Sequence, residues 1–192
     1  IKLNQCSFVQ VLLLECDLSG QDLRSMVLKQ CTCIESVFIG TQLAGADLQG
    51  SNFSQCVISE VDFSGALLSQ ALFIDSKIKD CCFDKADLTS TNFQGAVVED
   101  SRFVGCPMEQ TWMKGIKAKN VDYSQADLSY ANFSYGELKA CNFSVCKLLR
   151  TVVHAVVEEE CEWQGADISQ LLTTDPDQQV IDEKLKTFGV TP

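Results

Sequence analysis

Hydrophobic side chains recur at every fifth position of this chain: from Leu3 to Ile168, 33 of 34 such positions are apolar, and Glu158 alone departs. A helix repeats every 3.6 residues and a half-buried strand every two, so neither explains the pattern. Ten of the eleven phenylalanines (Phe8, Phe38, Phe53, Phe63, Phe73, Phe83, Phe93, Phe103, Phe133 and Phe143) share this phase. A second phase lies two residues earlier: 30 of 34 positions from Ile1 to Ala166 are Ala, Cys, Ser, Thr, Val or Gly, with Ile1, Gln21, Met26 and Ile116 as exceptions. Residues two apart on an extended segment point to the same side. Each five-residue unit therefore sends one small and one large side chain inward, presents three outward, and turns. Wound into a tube, such units stack bulky on bulky and hydrogen-bond between coils, leaving few free edges. The pattern predicts a repeat architecture.

Written out, the units read Ala46-Asp47-Leu48-Gln49-Gly50, Ala86-Asp87-Leu88-Thr89-Ser90, Ala126-Asp127-Leu128-Ser129-Tyr130 and Ala131-Asn132-Phe133-Ser134-Tyr135. This closely resembles the pentapeptide-repeat family, over residues 1 to about 170. The resemblance implies an all-β fold, a right-handed quadrilateral parallel β-helix with four pentapeptides to a coil. Residues 1–170 then make about eight coils of about 20 residues, a rod roughly 40 Å long at the ~4.8 Å strand spacing. That reading stacks Phe63, Phe83, Phe103, Tyr123, Phe143 and Trp163 on one wall. The next wall stacks Leu28, Leu48, Leu68, Leu88, Met108, Leu128 and Leu148, so layers match in volume. At Ile116 and Ala118 the large and small positions are exchanged, which conserves volume within the unit.

The chain begins at Ile1 already in phase and without methionine, which predicts the C-terminal part of a longer bacterial polypeptide, its first coil covered by upstream residues, a partner or a second copy. At the other end the pattern stops after Ile168. Thr174-Asp175-Pro176-Asp177 reads as a helix start, and Val180, Ile181, Leu185 and Phe188 fall largely on one face before Gly189. Residues 171–192 are thus expected to form a C-terminal capping α-helix and tail, closing the last coil or forming a dimer face. Glu158 reads as a solvated defect where the wall loosens.

Eleven cysteines would ordinarily suggest disulfides or metal. Nine of them (Cys6, Cys16, Cys31, Cys56, Cys81, Cys106, Cys141, Cys146 and Cys161) occupy the small inward phase, where a thiol is a compact hydrophobe. Only Cys33 and Cys82 depart. The reading is reduced thiols, no metal site and no cofactor.

His154 lies in an outward phase as a lone exposed histidine, with no phased partner for a triad, and the chain has no glycine-rich phosphate loop, so no enzyme is expected. A tube filled by its own side chains predicts no internal pocket, leaving the walls and ends for binding. The absence of an 18-residue apolar run predicts no membrane span. With no signal-peptide layout the expected location is cytoplasmic, a secreted effector or secretion-system accessory being the family-level alternative.

Net charge is −11, and residues 158–192 hold nine acids and two bases of it. The rest of the rod is nearly balanced, and one wall presents Lys77, Lys79, Lys117, Lys119 and Lys139. The family resemblance includes the quinolone-resistance (Qnr) proteins, which mimic DNA and engage DNA gyrase. As an alternative function it would assign the phosphate-like role to Asp47, Asp87, Asp127 and Asp167, although a mimic needs charge along its whole length. Outward apolar residues instead cluster toward the N-terminal half on two adjoining walls: Leu12, Leu14, Ile34, Val37, Ile39, Val57, Leu72, Ile74 and Val97, with Trp112 further on. So many on neighbouring walls mark an interface. The leading expectation is a non-enzymatic protein-binding scaffold, its partner another protein, an upstream domain or a second copy in a homodimer, without direct nucleic-acid contact.

Overall fold

The corners of the tube are set by backbone conformation. In the computed structural model, which describes residues 8–174, every fifth residue from Gln10 to Gly165 has positive φ, whether glycine or not. At most corners the amide of the next small residue donates to the carbonyl of the preceding large one, as from Ala46 to Leu43 at 3.0 Å and from Ala86 to Phe83 at 2.8 Å. A four-residue turn with its third residue in the left-handed region has the type II pattern, which glycine enters without strain. Other corners hold side chains there, including β-branched Val145 at φ 60°. That strain persists only because packing and inter-coil bonding over-determine the corner.

Asp or Asn just before the large residue supports the same corner. Asn52, Asp62 and Asn142 each accept, through Oδ1, the amide two residues on, at 2.9 Å, and Asp122 does so at 3.0 Å. Such Asx turns explain why short acids and amides recur at this outward position.

Four corners return the chain to its own column after twenty residues. Short strands β1 (Val37–Ile39), β2 (Val57–Ser59), β3 (Lys77–Lys79), β4 (Val97–Glu99), β5 (Lys117–Lys119), β6 (Glu137–Lys139) and β7 (Val157–Glu159) stack in that order as one parallel sheet. Val37 pairs with Val57 and Ile58 with Ile78. This sheet is wall 1. Following the chain, wall 2 runs through Leu23, Leu43, Phe63, Phe83, Phe103, Tyr123, Phe143 and Trp163, and wall 3 through Leu28 to Leu148. Wall 4 runs through Leu13, Cys33, Phe53, Phe73, Phe93, Met113, Phe133 and Val153. Walls 2 to 4 keep the same register as single bridges, such as Asp62 with Cys82 and Asn52 with Leu72. The architecture is the expected right-handed quadrilateral β-helix.

Rings from walls 2 and 4 fill the middle of the tube. Phe63 stacks on Phe83 at 4.6 Å and Phe83 on Phe103 at 4.5 Å, while Phe53, Phe73 and Phe93 stack at 5.0 and 4.9 Å. The two columns meet edge to face, Phe73 and Phe83 lying 6.0 Å apart at 84°. Each such pair contributes about 0.5–1.5 kcal/mol beyond the area it buries. Tyr123 continues wall 2 between Phe103 and Phe143, but its buried hydroxyl has no hydrogen-bond partner among the described residues. Burial pushes its phenol well above the ordinary value.

The small inward positions are often polar, and they are satisfied. Ser51 Oγ donates to Leu28 O at 2.7 Å and Thr151 Oγ1 to Leu128 O at 2.8 Å. Cys56, Cys106 and Cys146 do likewise through Sγ, to Cys33 O at 2.7 Å and to Phe83 O and Tyr123 O at 2.9 Å. Cysteine here fills the space of serine and makes the same inter-coil contact. All described cysteines are free. Burial pushes Cys33, Cys106, Cys141 and Cys146 up to about 12, and Cys56 and Cys81 to about 11. These thiols are neutral packing groups.

Ile116 and Ala118 are both buried, as their exchange requires. One coil further, a Cβ on Gly136 would lie 2.9 Å from Phe133 O, a clash, and 3.4 Å from Ile116 Cγ2, an ordinary contact. Near the end, Glu158 is exposed and accepts from Trp163 Nε1 at 3.1 Å. A 3₁₀ turn over Ile168–Gln170, capped by Asp167, ends the regular units. The expected helix face of Val180, Ile181, Leu185 and Phe188 lies outside the described residues. No helix among the described residues is long and apolar enough to cross a membrane.

The first described coils surround a partly open apolar pocket of about 180 Å³, lined among others by Phe8, Leu13, Leu23, Met26, Cys33 and Phe53. Leucine and cysteine there stand in columns that carry rings higher up.

Candidate functional site

The ten outward apolar residues all face out, on two adjoining walls. Leu12, Leu14, Ile34, Leu72, Ile74 and Trp112 lie on wall 4, and Val37, Ile39, Val57 and Val97 on wall 1. Leu12 is 65% exposed, Leu14 46%, Ile39 44%, and Val57 and Trp112 41% each, whereas Ile34, Val37, Leu72, Ile74 and Val97 are half-buried. The set is not continuous. Asn52 and Asn92 pair across the coils with Leu72 on either side, dividing wall 4 into an apolar patch in the first coils and a separate pair further on. Leu14 and Ile34 sit in one column, and Ile34 leads around the corner to Val37 and Ile39. Val57 and Val97 share a shallow groove on wall 1 with Lys77, Lys79 and Glu99. Trp112 donates Nε1 to Gln94 Oε1 at 3.2 Å, which fixes its indole along the wall.

The five lysines do share wall 1. Lys117 pairs with Glu137 at 3.0 Å and Lys139 with Glu159 at 2.8 Å, exposed contacts of small energetic weight.

Asp47, Asp87, Asp127 and Asp167 share wall 3, but only on alternate coils, with Leu67, Pro107 and Lys147 between them. Each carboxylate accepts the amide two residues on, at 3.5, 3.1, 3.2 and 3.1 Å in that order. Asp47 also pairs with Lys29 and Asp127 with Lys147, both at 2.9 Å. These acids brace corners and are partly neutralised, which dilutes any phosphate-like display.

His154 is not the lone exposed histidine expected from its phase. It is half-buried with its ring 5.3 Å from Tyr135, over which Lys114 Nζ sits at 5.2 Å. Among the described residues no group of three His, Cys, Asp or Glu is placed to hold a metal ion.

Sequence reasoning missed exposed apolar residues outside the N-terminal cluster: Leu67 at 41%, Tyr130 at 51%, Val145 at 60%, Leu149 at 43% and Val157 at 65%. Their outward phase was the available signal. They lie singly among polar neighbours or at corners, so they form no patch like that of Leu12, Leu14 and Ile39.

The family described as Pentapeptide repeats (8 copies) matches residues 16–55, 36–75 and 56–95, and the one described as Pentapeptide repeat region matches residues 76–153. No curated protein matches the chain. Among solved structures, HetL from the cyanobacterium Nostoc sp. strain PCC 7120, a pentapeptide repeat protein involved in heterocyst differentiation regulation, is 15% identical over 86% of this chain and 91% of that one, with a TM-score of 0.44. A pentapeptide repeat protein from the Arabidopsis thaliana thylakoid lumen is 20% identical over 54% of this chain and 71% of its own, with a TM-score of 0.40. QnrB1, a plasmid-mediated fluoroquinolone resistance protein, is 16% identical over 97% and 99%, with a TM-score of 0.32. Family matches spanning residues 16–153, on a tube whose corners and inward columns repeat every five residues, place this chain in the pentapeptide-repeat family.

Proposed function

We propose that this repeat tube is a protein-binding scaffold that captures a protein partner on the edge between walls 4 and 1 in its first coils. One observation carries the reading: Leu12 and Leu14 on wall 4 and Ile39 on the adjoining wall 1 are exposed by 65, 46 and 44%. Large side chains left in water at neighbouring positions lose stability that a complementary apolar surface restores. The scaffold needs no chemistry of its own. Its rigid corners hold the patch in a fixed shape, so little ordering cost attends association.

The DNA-like alternative has less support, since its four aspartates alternate with Leu67, Pro107 and Lys147 and brace the backbone. The test separates the two readings. Leu14→Glu and Ile39→Glu are expected to abolish partner capture or self-association, followed by pull-down and light scattering, while far-ultraviolet circular dichroism stays unchanged. Association that survives both changes overturns the proposal. Salt-sensitive inhibition of gyrase supercoiling by the full chain would favour the alternative instead.

A further inference from the structure

Charge in the first coils differs between opposite faces of the tube. On walls 2 and 3, residues 21–30, 41–50 and 61–70 hold three acids and two bases, and both bases are paired, Arg24 with Asp22 at 2.8 Å and Lys29 with Asp47 at 2.9 Å. On walls 4 and 1, residues 11–20, 31–40 and 51–60 hold Glu15, Asp17, Glu35 and Glu60 and no Lys, Arg or His. All four acids are exposed, and none is in an ion pair among the described residues.

The corners decide where these carboxylates stand. Glu15 and Glu35 occupy successive corners between walls 4 and 1, ~4.8 Å apart, and Glu60 occupies the corner between walls 1 and 2. Between the two edges lie Val37, Ile39 and Val57 of β1 and β2, with Ile39 and Val57 exposed by 44 and 41%. Gly20 and Gly40, in the column below Glu60, give that edge no side chains and have open space beside them. Wall 1 here is an apolar floor with glutamates along its edges and no cation of its own.

Such a surface is incomplete in water on two counts: its apolar floor stays wetted, and its like charges repel. A purely hydrophobic surface laid on it would strand the carboxylates, and an acidic one would be repelled. Lysine and arginine meet both demands, because their stems cover Val37 and Ile39 while their charged ends reach the edges.

We propose that wall 1 of the first three coils docks a cationic amphipathic segment of a partner protein, its apolar side chains on Val37, Ile39 and Val57 and its lysines or arginines on Glu15, Glu35 and Glu60. The inference rests on the reading of this face as a docking surface and names the chemistry of what docks.

The probe is a fluorescent leucine–lysine peptide patterned as an amphipathic helix, titrated into the full chain, with a leucine–glutamate peptide of the same pattern beside it. Only the lysine peptide is expected to bind, several-fold more weakly at about 300 mM salt than at about 50 mM. Glu15→Lys with Glu35→Lys should weaken it about tenfold or more, and Ile39→Ser should weaken it too, with circular dichroism unchanged. Glu160→Lys with Glu162→Lys changes net charge equally at the far end of the tube and should leave binding as it was. No binding of the lysine peptide, or an equal loss in the far-end variant, overturns the proposal. A glutamate peptide that binds equally well and is released by Ile39→Ser overturns the cationic preference while the docking surface stands, whereas indifference of both peptides to Ile39→Ser removes the docking reading itself.

Discussion

Between Phe53 and Phe103 the tube is filled ring upon ring, with stacked neighbours 4.5–5.0 Å apart. Between Phe8 and Phe38 the same columns, on the same corners and in the same register, hold Leu13, Leu23 and Cys33 around a partly open pocket. Backbone closure is equal in the two regions; side-chain volume is not. The difference teaches that register and volume are set separately. Corners and inter-coil bonds fix where a side chain points, while the sum of volumes at each level decides whether the level is full.

The largest expected effect comes from alkali, and it falls on buried thiols along the tube, Cys33 of the first coils included. Cys56, Cys81, Cys106 and Cys146 are pushed from 9.0 to about 11 or 12 by burial, so they bind protons in the folded chain that they release when unfolded. Their stabilisation is fully present below pH 9 and lost as pH rises through 11 and 12. Unfolding free energy should fall by about 1.4 kcal/mol per pH unit for each thiol. Urea unfolding under reducing conditions at pH 8 and pH 10.5 measures the drop, and Cys106→Ala should reduce it.

Next in size is a matched pair of truncations. Phe83→Ala, in the middle of a ladder, should cost about 3–5 kcal/mol, and Leu13→Ala, beside the partly open pocket, about 2 kcal/mol or less. Equal losses in chemical denaturation would dissolve the contrast between the two regions. The smallest effect has the opposite sign. Tyr123→Phe removes a buried hydroxyl without a partner among the described residues and should raise stability by about 1 kcal/mol, read as a shift in the urea midpoint at constant slope.

The columns through Phe63, Phe83 and Phe103 were legible in the sequence because phase is a property of single positions. So was the exchange at Ile116 and Ala118. The requirement for Gly136 was not, since it arises from the close approach of the Phe133 carbonyl within its own turn. The pocket of the first coils escaped as well: each of Leu13, Leu23 and Cys33 obeys the apolar rule, and only together do they leave space. On the outside, the direction of Leu12 or Asp87 was legible but its engagement was not. That Asp87 is tied to the amide of Thr89 at 3.1 Å depends on corner geometry that the residue type alone does not display.

Positive φ at every fifth residue makes each corner self-contained, with no loop whose length must be tuned. Growth and loss of this molecule therefore come in quanta. Excising the stretch 76–95 removes one full storey and leaves the ring stack above settled on the stack below, like a brick course lifted from a chimney. Deleting a single residue rotates everything beyond it out of alignment. A lineage of such chains can vary in height freely while holding its cross-section constant.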